Sequence, residues 1–118
     1  MAIPSGPGTE VLKRSTATGD FDGTPTILTV PALHIYTIIS IFITETASVA
    51  ETFWLKMTDA DNSNRDIFIA RSVALGANQT FAWNDRFVLH PGDTLKLQTG
   101  SVSDLDVIIS FIDQDWTT

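Results

Sequence analysis

The stretch FAWNDRFVLHPGDTLKLQTGSVSDLDVIISFI, residues 81–112, contains four short runs of strand-forming residues. These runs are Phe81–Trp83, Arg86–His90, Thr94–Gln98 and Leu105–Ile112. Turn-forming sequences rich in Asn, Asp, Gly, Pro and Ser separate them. Apolar residues that alternate with polar ones, interrupted by turns at such short intervals, are typical of an antiparallel β-sandwich or barrel.

The same pattern continues toward the N terminus and predicts eight strands, or nine with an optional first strand at Thr9–Ser15. The earlier runs are Thr26–Val30, His34–Thr44, Thr52–Thr58 and Arg65–Ser72. The last two flank a polar turn at residues 59–64 and are expected to form a hairpin. No run of about 10–12 residues has helical apolar spacing. Residues 26–118 are therefore expected to form an all-β, antiparallel, jelly-roll-like β-sandwich.

The predicted strand at residues 34–44 is apolar on both of its faces. Under strict alternation, one face carries four isoleucines and the other carries Tyr36, Ile38 and Phe42; the isoleucines are Ile35, Ile39, Ile41 and Ile43. A sandwich strand normally has one apolar face. The second face is therefore expected to be covered by the N-terminal segment, by a loop or by another subunit.

Residues 1–25 are predicted to be an extended N-terminal arm and loop. The first eight residues contain two prolines and two glycines, which do not suit a regular element. Residues 16–25 are rich in Gly, Asp and Thr. Such a segment is either a frayed terminus or an arm that docks on a neighbouring subunit, and the residues leave both alternatives open.

Composition limits the partners and the location. The 118 residues suit a single domain. Fourteen acidic and seven basic residues give a net charge of -7, and no basic stripe is present. Binding to nucleic acid or to an anionic membrane is therefore not expected. No secretion signal is evident at the start, and the apolar stretch Ile35–Ile43 is too short to span a bilayer as a helix. We expect assembly in a cytoplasm.

No residue pattern predicts an enzyme, a metal site or a cofactor. The chain has no cysteine, and His34 and His90 do not stand at metal-ligand spacing. Residues 59–64 begin like a calcium-binding loop, but Asn64 replaces the required glycine and Ala70 replaces the bidentate glutamate. A tight hairpin turn is the favoured interpretation of this segment.

Two tryptophans are candidates for binding. Trp54 is expected to point away from the core, where an exposed aromatic ring can anchor a subunit interface or stack on a sugar. A subunit interface is the favoured alternative. Trp116 follows the last strand, and it either packs locally or anchors a neighbouring chain.

Several segments together resemble small jelly-roll structural proteins of tailed-bacteriophage virions. The resemblance spans about residues 24–112. The segments that carry it are TILTVPALHIYTIISI (26–41), GANQTF (76–81), FVLHPGDTL (87–95) and DVIISF (106–111). Within that group the chain is most similar to capsid decoration, or cement, proteins.

This resemblance implies a non-enzymatic protein on the capsid surface that binds the major capsid protein and stabilises the shell. It also implies a homo-oligomer, possibly a trimer. The expected capsid contacts lie in the arm, at Ile3, Pro4, Pro7, Val11 and Leu12. The possible oligomer contacts are Trp54, Tyr36, Phe68 and Trp116. The alternatives are a tail or host-attachment component that binds a neighbouring tail protein or a cell-surface glycan, and a free-standing carbohydrate-binding module.

Overall fold

The computed structural model describes residues 6–23 and 25–117, which form two antiparallel β-sheets packed face to face. A short 3₁₀ turn at Ala60–Asn62 interrupts the loop between the fourth and fifth strands. The strands, in chain order, are β1 (Thr9–Gly19), β2 (Thr26–Thr29), β3 (His34–Glu45), β4 (Glu51–Asp59), β5 (Arg65–Leu75), β6 (Thr80–Trp83), β7 (Phe87–Leu89), β8 (Thr94–Thr99) and β9 (Leu105–Asp115).

The order of strands in the sheets is that of a jelly roll. The first sheet has the order β1-β9-β3-β6, with β7 also paired to β3, and the second sheet has the order β2-β8-β4-β5. Strands that follow one another in the chain mostly lie in different sheets, so the chain crosses repeatedly between the two layers. The sequence prediction of an all-β jelly-roll sandwich is confirmed, and so is the hairpin, because β4 pairs with β5.

The core lies between the two sheets. Ile41 and Ile43 on β3 are fully buried, and so are Phe53 and Leu55 on β4 of the opposite sheet. Leu95 on β8 is equally inaccessible. Each large apolar side chain removed from water contributes about 1.5–3 kcal/mol. The alternating apolar residues of the two inner faces therefore hold the sandwich together.

A β-bulge in β3 corrects the predicted assignment of its faces. The pairing of β3 with β9 shifts register between Ile38 and Ser40, which leaves Ile39 without a cross-strand partner. The extra residue changes the phase of the alternation. Tyr36 and Ile38 before the bulge therefore share the core face with Ile41 and Ile43 after it, and all four are buried; strict alternation had placed the two pairs on opposite faces.

The predicted arm at residues 1–25 is not a single unit, because part of it belongs to the sandwich. β1 pairs with β9 without interruption, from Thr9 opposite Asp115 to Gly19 opposite Leu105. The optional first strand is thus present and extends four residues beyond its predicted end. Residues 1–5 lie outside the described residues.

A buried carboxylate ties two loops together at one end of the sandwich. Asp93 is only 2% exposed and accepts hydrogen bonds from the backbone N–H groups of His90 and Ala60, each at 2.8 Å. Ser63 and Asn64 have positive φ angles of 56° and 57°, which suit a tight turn between β4 and β5. The predicted polar turn at residues 59–64 is confirmed.

Candidate interaction surface

The outer face of the first sheet is a regular array of side chains on β1, β9 and β3. Because the strands are antiparallel and in register, residues opposite one another form rows across the sheet. The four central rows are Leu12–Ile112–Thr37, Arg14–Ser110–Ser40, Thr16–Ile108–Phe42 and Thr18–Asp106–Thr44. These twelve residues are called the first-sheet face below.

Large apolar side chains on the first-sheet face are exposed to solvent. Leu12 is 71% exposed, Ile108 is 42% exposed and Phe42 is 37% exposed. Val88 on β7 pairs with Thr37, extends the first row and is 49% exposed. Exposed apolar residues that cluster on one surface mark interaction sites more often than scattered ones do.

The bulge in β3 shapes the surface as well as the core. Ile39 and Ser40 line a shallow depression of about 590 Å³ together with Leu12, Arg14 and Ser110. A second depression of about 340 Å³ follows β1 and β9 further along, and Ile108 contributes to it. The first-sheet face is therefore grooved as well as partly apolar, so a complementary surface could pack into its two depressions.

The twelve residues of the first-sheet face carry one charge of each sign. Arg14 is the cation and Asp106 the anion, and the next row of the same sheet adds the exposed Glu10. The whole chain has a net charge of -7. The side-chain hydroxyl of Thr18 donates a hydrogen bond of 2.6 Å to Oδ1 of Asp106. The twelve residues therefore add no net charge to the repulsion that acidic chains exert on one another.

Tyr36, expected from its sequence position to be an oligomer contact, is buried instead. It is only 7% exposed, its ring lies 4.5 Å from that of Phe111, and it meets the His34 ring edge-on at 6.3 Å. Burial raises the pKa of the Tyr36 hydroxyl. The correction follows from the bulge at Ile39, which places Tyr36 on the core face.

Trp54 and Phe68 lie on the second sheet. Trp54 is half-buried and pairs with Gln98, on the outward side of β4. Phe68 is 43% exposed, with the Lys56 ammonium 5.6 Å and the Arg71 guanidinium 5.0 Å from the centre of its ring. Two cations thus cover the Phe68 ring. The positions of both aromatics suit the predicted contact role without testing it.

The N-terminal contact residues fall into three environments. Ile3 and Pro4 lie outside the described residues. Pro7 is exposed and stands between Gly6 and Gly8, which contact Trp116. Leu12 belongs to the first-sheet face, while Val11 is 46% exposed and pairs with Asp113.

Trp116 packs within its own chain, which was one of the two alternatives for it. Its indole Nε1 donates a hydrogen bond of 2.9 Å to the carbonyl oxygen of Gly6. Its backbone N–H donates one of 3.0 Å to the carbonyl oxygen of Leu33. The side chain is half-buried, so part of its surface remains accessible to a neighbour.

Ionisable side chains on β1, β3 and β9 form ion pairs across these strands. Asp113 on β9 is 2% exposed, and its two oxygens contact Lys13 Nζ on β1 and His34 Nδ1 on β3, each at 2.7 Å. The hydrogen bond to Asp113 raises the pKa of Lys13. Hydrogen bonds from Thr117 lower the pKa of Asp115, which lies 3.5 Å from His34 Nε2.

The arrangement of these groups suits structural cross-links. Among residues 6–23 and 25–117, no group of three or more His, Cys, Asp and Glu side chains could hold a metal ion. Within the same described residues, no helix has the length and apolar character needed to cross a bilayer.

The first-sheet face was not identified from the sequence, although one of its signals was visible. Both faces of β3 read as apolar, and a covering partner was expected. Phe42 belongs to one of these two faces, but nothing in the sequence singles out Ile108 or Arg14. Their alignment with Phe42 depends on the register between strands that are far apart in the chain, and alternation alone does not supply it.

Comparison with known proteins bears on the fold. No protein-family model and no curated protein matches the sequence. A chain from the disulfide-linked pili of Bacillus endospore appendages has a similar structure, with a TM-score of 0.60 and 9% identity over 98% of this chain and 96% of that chain. A chain from the capsid of Helicobacter pylori bacteriophage KHP30 has a TM-score of 0.51 and 9% identity over 90% and 91%.

A viral coat protein shows the same likeness over part of its length. The VP2 protein of infectious bursal disease virus has a TM-score of 0.50 and 6% identity, over 90% of this chain but only 36% of that chain. At such low identities these likenesses show the fold alone. The fold is a jelly roll.

Proposed function

We propose that this chain is a structural protein of a virus particle that binds the capsid shell and stabilises it as a decoration, or cement, protein. A protein that binds the assembled shell but not its separated parts lowers the free energy of the shell by linkage. Many copies on a symmetric shell make weak individual contacts effective through avidity. The activity proposed here is mechanical and requires no cofactor.

The observation that carries this proposal is the likeness to a chain of the phage KHP30 capsid, which spans 90% of this chain and 91% of that one. The likeness thus spans nearly the full length of both chains, so a jelly roll of this size is compatible with a place in a capsid. The exposed apolar residues of the first-sheet face supply a second, independent support, since a surface of this kind favours assembly.

The proposed shell contacts are at the N terminus, at Ile3, Pro4, Pro7, Val11 and Leu12. Trp116 fixes the backbone at Gly6, so any contact made by residues 1–5 begins from a defined point on the sandwich. Trp54, Phe68 and the accessible part of Trp116 remain proposed oligomer contacts. Three copies is the stoichiometry that the resemblance to decoration proteins favours.

The decisive experiment is the copy number of this chain in purified particles, measured by quantitative mass spectrometry against the major capsid protein. A ratio near one, or near a simple fraction, would support shell decoration. A handful of copies per particle would contradict it and would favour a tail or host-attachment role. Absence from purified particles would contradict both.

A binding experiment tests the contacts proposed for Ile3 and Pro4 separately. Purified shells are incubated with the full chain or with a chain that lacks residues 1–5, and the bound fraction is measured after sedimentation. The truncation leaves the Gly6 carbonyl in place for Trp116, so the sandwich is expected to stay folded. Loss of binding supports the contact role, with Val102→Ser, an exposed-loop variant, as the control. Unchanged occupancy contradicts it.

A repeating subunit of a fibre is the second candidate function. It is favoured by the likeness to the endospore appendage chain, which has a TM-score of 0.60 and covers nearly the full length of both chains. The pili of that comparison are disulfide-linked, whereas this chain has no cysteine, so a fibre of it would need non-covalent contacts. Electron microscopy of the concentrated protein tests this: unbranched filaments support the fibre role, and dispersed particles contradict it.

A further inference from the structure

The first-sheet face points to a specific partner. We propose that it binds the same face of a second copy of this chain, in a two-fold symmetric pair. In such an isologous contact, if one residue of the first copy contacts another residue of the second copy, the same contact also occurs with the two copies exchanged. The inference goes beyond a place in a virion, because it concerns how the isolated chain associates with itself. A pair is an alternative to the three-copy assembly that the resemblance to decoration proteins implies.

Charge is the first argument for a second copy as the occupant. Arg14 and Asp106 lie on adjacent strands, two rows apart, with the row of Thr16 and Ile108 between them. A separation of four residues along a strand corresponds to about 13 Å. If a two-fold axis runs along the row of Ile108, Arg14 of each copy faces Thr18 of the other. Asp106 lies beside that Thr18 on the adjacent strand, about 4.8 Å to the side and within reach of the long arginine side chain. Two reciprocal ion pairs then form from one cation and one anion.

The apolar residues fit the same axis. The row on the axis contains Ile108 and Phe42, which are 42% and 37% exposed and would stack on their own counterparts. This places apolar side chains at the centre and charged side chains beside them, as in protein interfaces generally. A partner with a strongly basic surface would suit the acidic chain as a whole, but it would meet an equal number of positive and negative charges among the twelve residues of this face.

The second sheet does not offer the same self-complementarity. Lys56 and Lys96 lie opposite each other on its outer side, and Asp66 contacts both, at 3.3 Å and 3.9 Å. Asp66 is thus already paired with two lysines of its own chain. In a two-fold contact through this sheet, Lys56 and Lys96 of one copy would face the same two lysines of the other copy. The first-sheet face is therefore the better candidate for pairing.

Sedimentation velocity of the purified full chain over a concentration series tests the proposal. The wild-type chain is expected to form pairs, and Ile108→Asp is expected to weaken pairing at least about tenfold, since it buries a charge at the centre of the contact. Ile67→Asp is the matched control, because Ile67 is a 41% exposed isoleucine on β5. It should leave pairing unchanged. Circular dichroism confirms that each variant is folded.

Charge reversal tests the ion pairs. Arg14→Asp and Asp106→Arg should each weaken pairing, whereas the double variant restores opposite charges at both positions and should recover most of the lost affinity. A monomeric wild-type chain, equal effects of Ile108→Asp and Ile67→Asp, or no recovery in the double variant would overturn the proposal. So would a three-copy assembly insensitive to Ile108→Asp. None of these results depends on the presence of the chain in particles.

Discussion

The indole Nε1 of Trp116 donates a 2.9 Å hydrogen bond to the carbonyl oxygen of Gly6, a residue 110 positions earlier in the chain. Gly8 lies directly beneath the same ring, and a Cβ atom at that position would come within 2.8 Å of Trp116 Cε2. The segment that enters β1 is therefore held by the segment that leaves β9. The paired strands β1 and β9 bring these two termini together.

Gly8→Val is expected to release the N-terminal segment from Trp116. The added side chain would occupy the space of the indole ring, whose Nε1 is hydrogen-bonded to the carbonyl oxygen of Gly6. Faster proteolysis near residue 8 and faster exchange of the Trp116 indole proton should follow, with a loss of stability of about 1 kcal/mol. Gly100→Ala is the control, because its Cβ would lie at an ordinary 3.8 Å from Trp54. Equal protection of the two variants from proteolysis and from indole exchange would contradict the proposed hold of Trp116 on the N-terminal segment.

A second prediction concerns Glu45, a 2% exposed carboxylate that joins two loops. It accepts backbone N–H bonds from Ala47 at 2.7 Å and from Val49 and Asn78 at 3.1 Å. Burial alone would raise the pKa of Glu45, but these bonds favour the charged form and hold the pKa below its usual 4.5. The folded pKa is below the unfolded one, so this stabilisation is present above about pH 4.5 and is lost as the pH falls through the folded pKa.

Glu45→Gln should therefore lower the urea midpoint of unfolding at pH 7, since a neutral amide replaces a charged acceptor. The difference from the wild-type chain should shrink toward pH 3. Urea unfolding at the two pH values measures both effects. Glu10→Gln, at an exposed position on β1, is the control and should behave like the wild-type chain at both values. A pH-independent deficit in Glu45→Gln would contradict the proposed origin of the stabilisation.

Most of the fold could be predicted from local patterns, whereas the surface could not. The strands can be predicted from the alternation of apolar and polar residues. The turns at residues 59–64 and 90–93 can be predicted from Asp, Asn, Gly and Pro, because both signals act within a few residues. The bulge at Ile39 has no local sequence signal of this kind, because Ile38, Ile39 and Ile41 suit either face of a sheet. Its position depends on the pairing with β9, about 70 residues later. The faces of β3 were therefore misassigned, and Tyr36 with them.

The bulge itself leads to a third prediction. Deleting Ile39 leaves Ile38 and Ile41 on the core face with Ser40 between them, so the strand gains a regular alternation and should remain folded. Deleting Phe42 instead forces either Ile43 out of the core or Ser40 into it. That deletion should cost about 2–5 kcal/mol, comparable to the loss of a buried isoleucine. Thermal unfolding followed by circular dichroism compares the two deletions, and equal destabilisation would contradict the assigned bulge.

The last prediction concerns the cross-strand pair of Lys13 and Asp113. Nζ of Lys13 lies 2.7 Å from Oδ2 of the buried Asp113, and the hydrogen bond between them is the main cause of the raised pKa of Lys13. The folded pKa is above the unfolded one, so this contribution is present below the usual 10.5 and is lost as the pH rises through the folded pKa.

Lys13→Met should therefore reduce the loss of stability that the wild-type chain undergoes in alkaline solution. Asp113→Asn should lower stability at pH 7, because it also removes the charged acceptor of His34. If the ion pair couples β1 to β9, the effect of Asp113→Asn should be smaller in the Lys13→Met background, and a double-mutant cycle of urea midpoints measures that difference. Additive effects would mean that Lys13 and Asp113 act independently, and the strands would then be held at this point by backbone pairing and His34 alone.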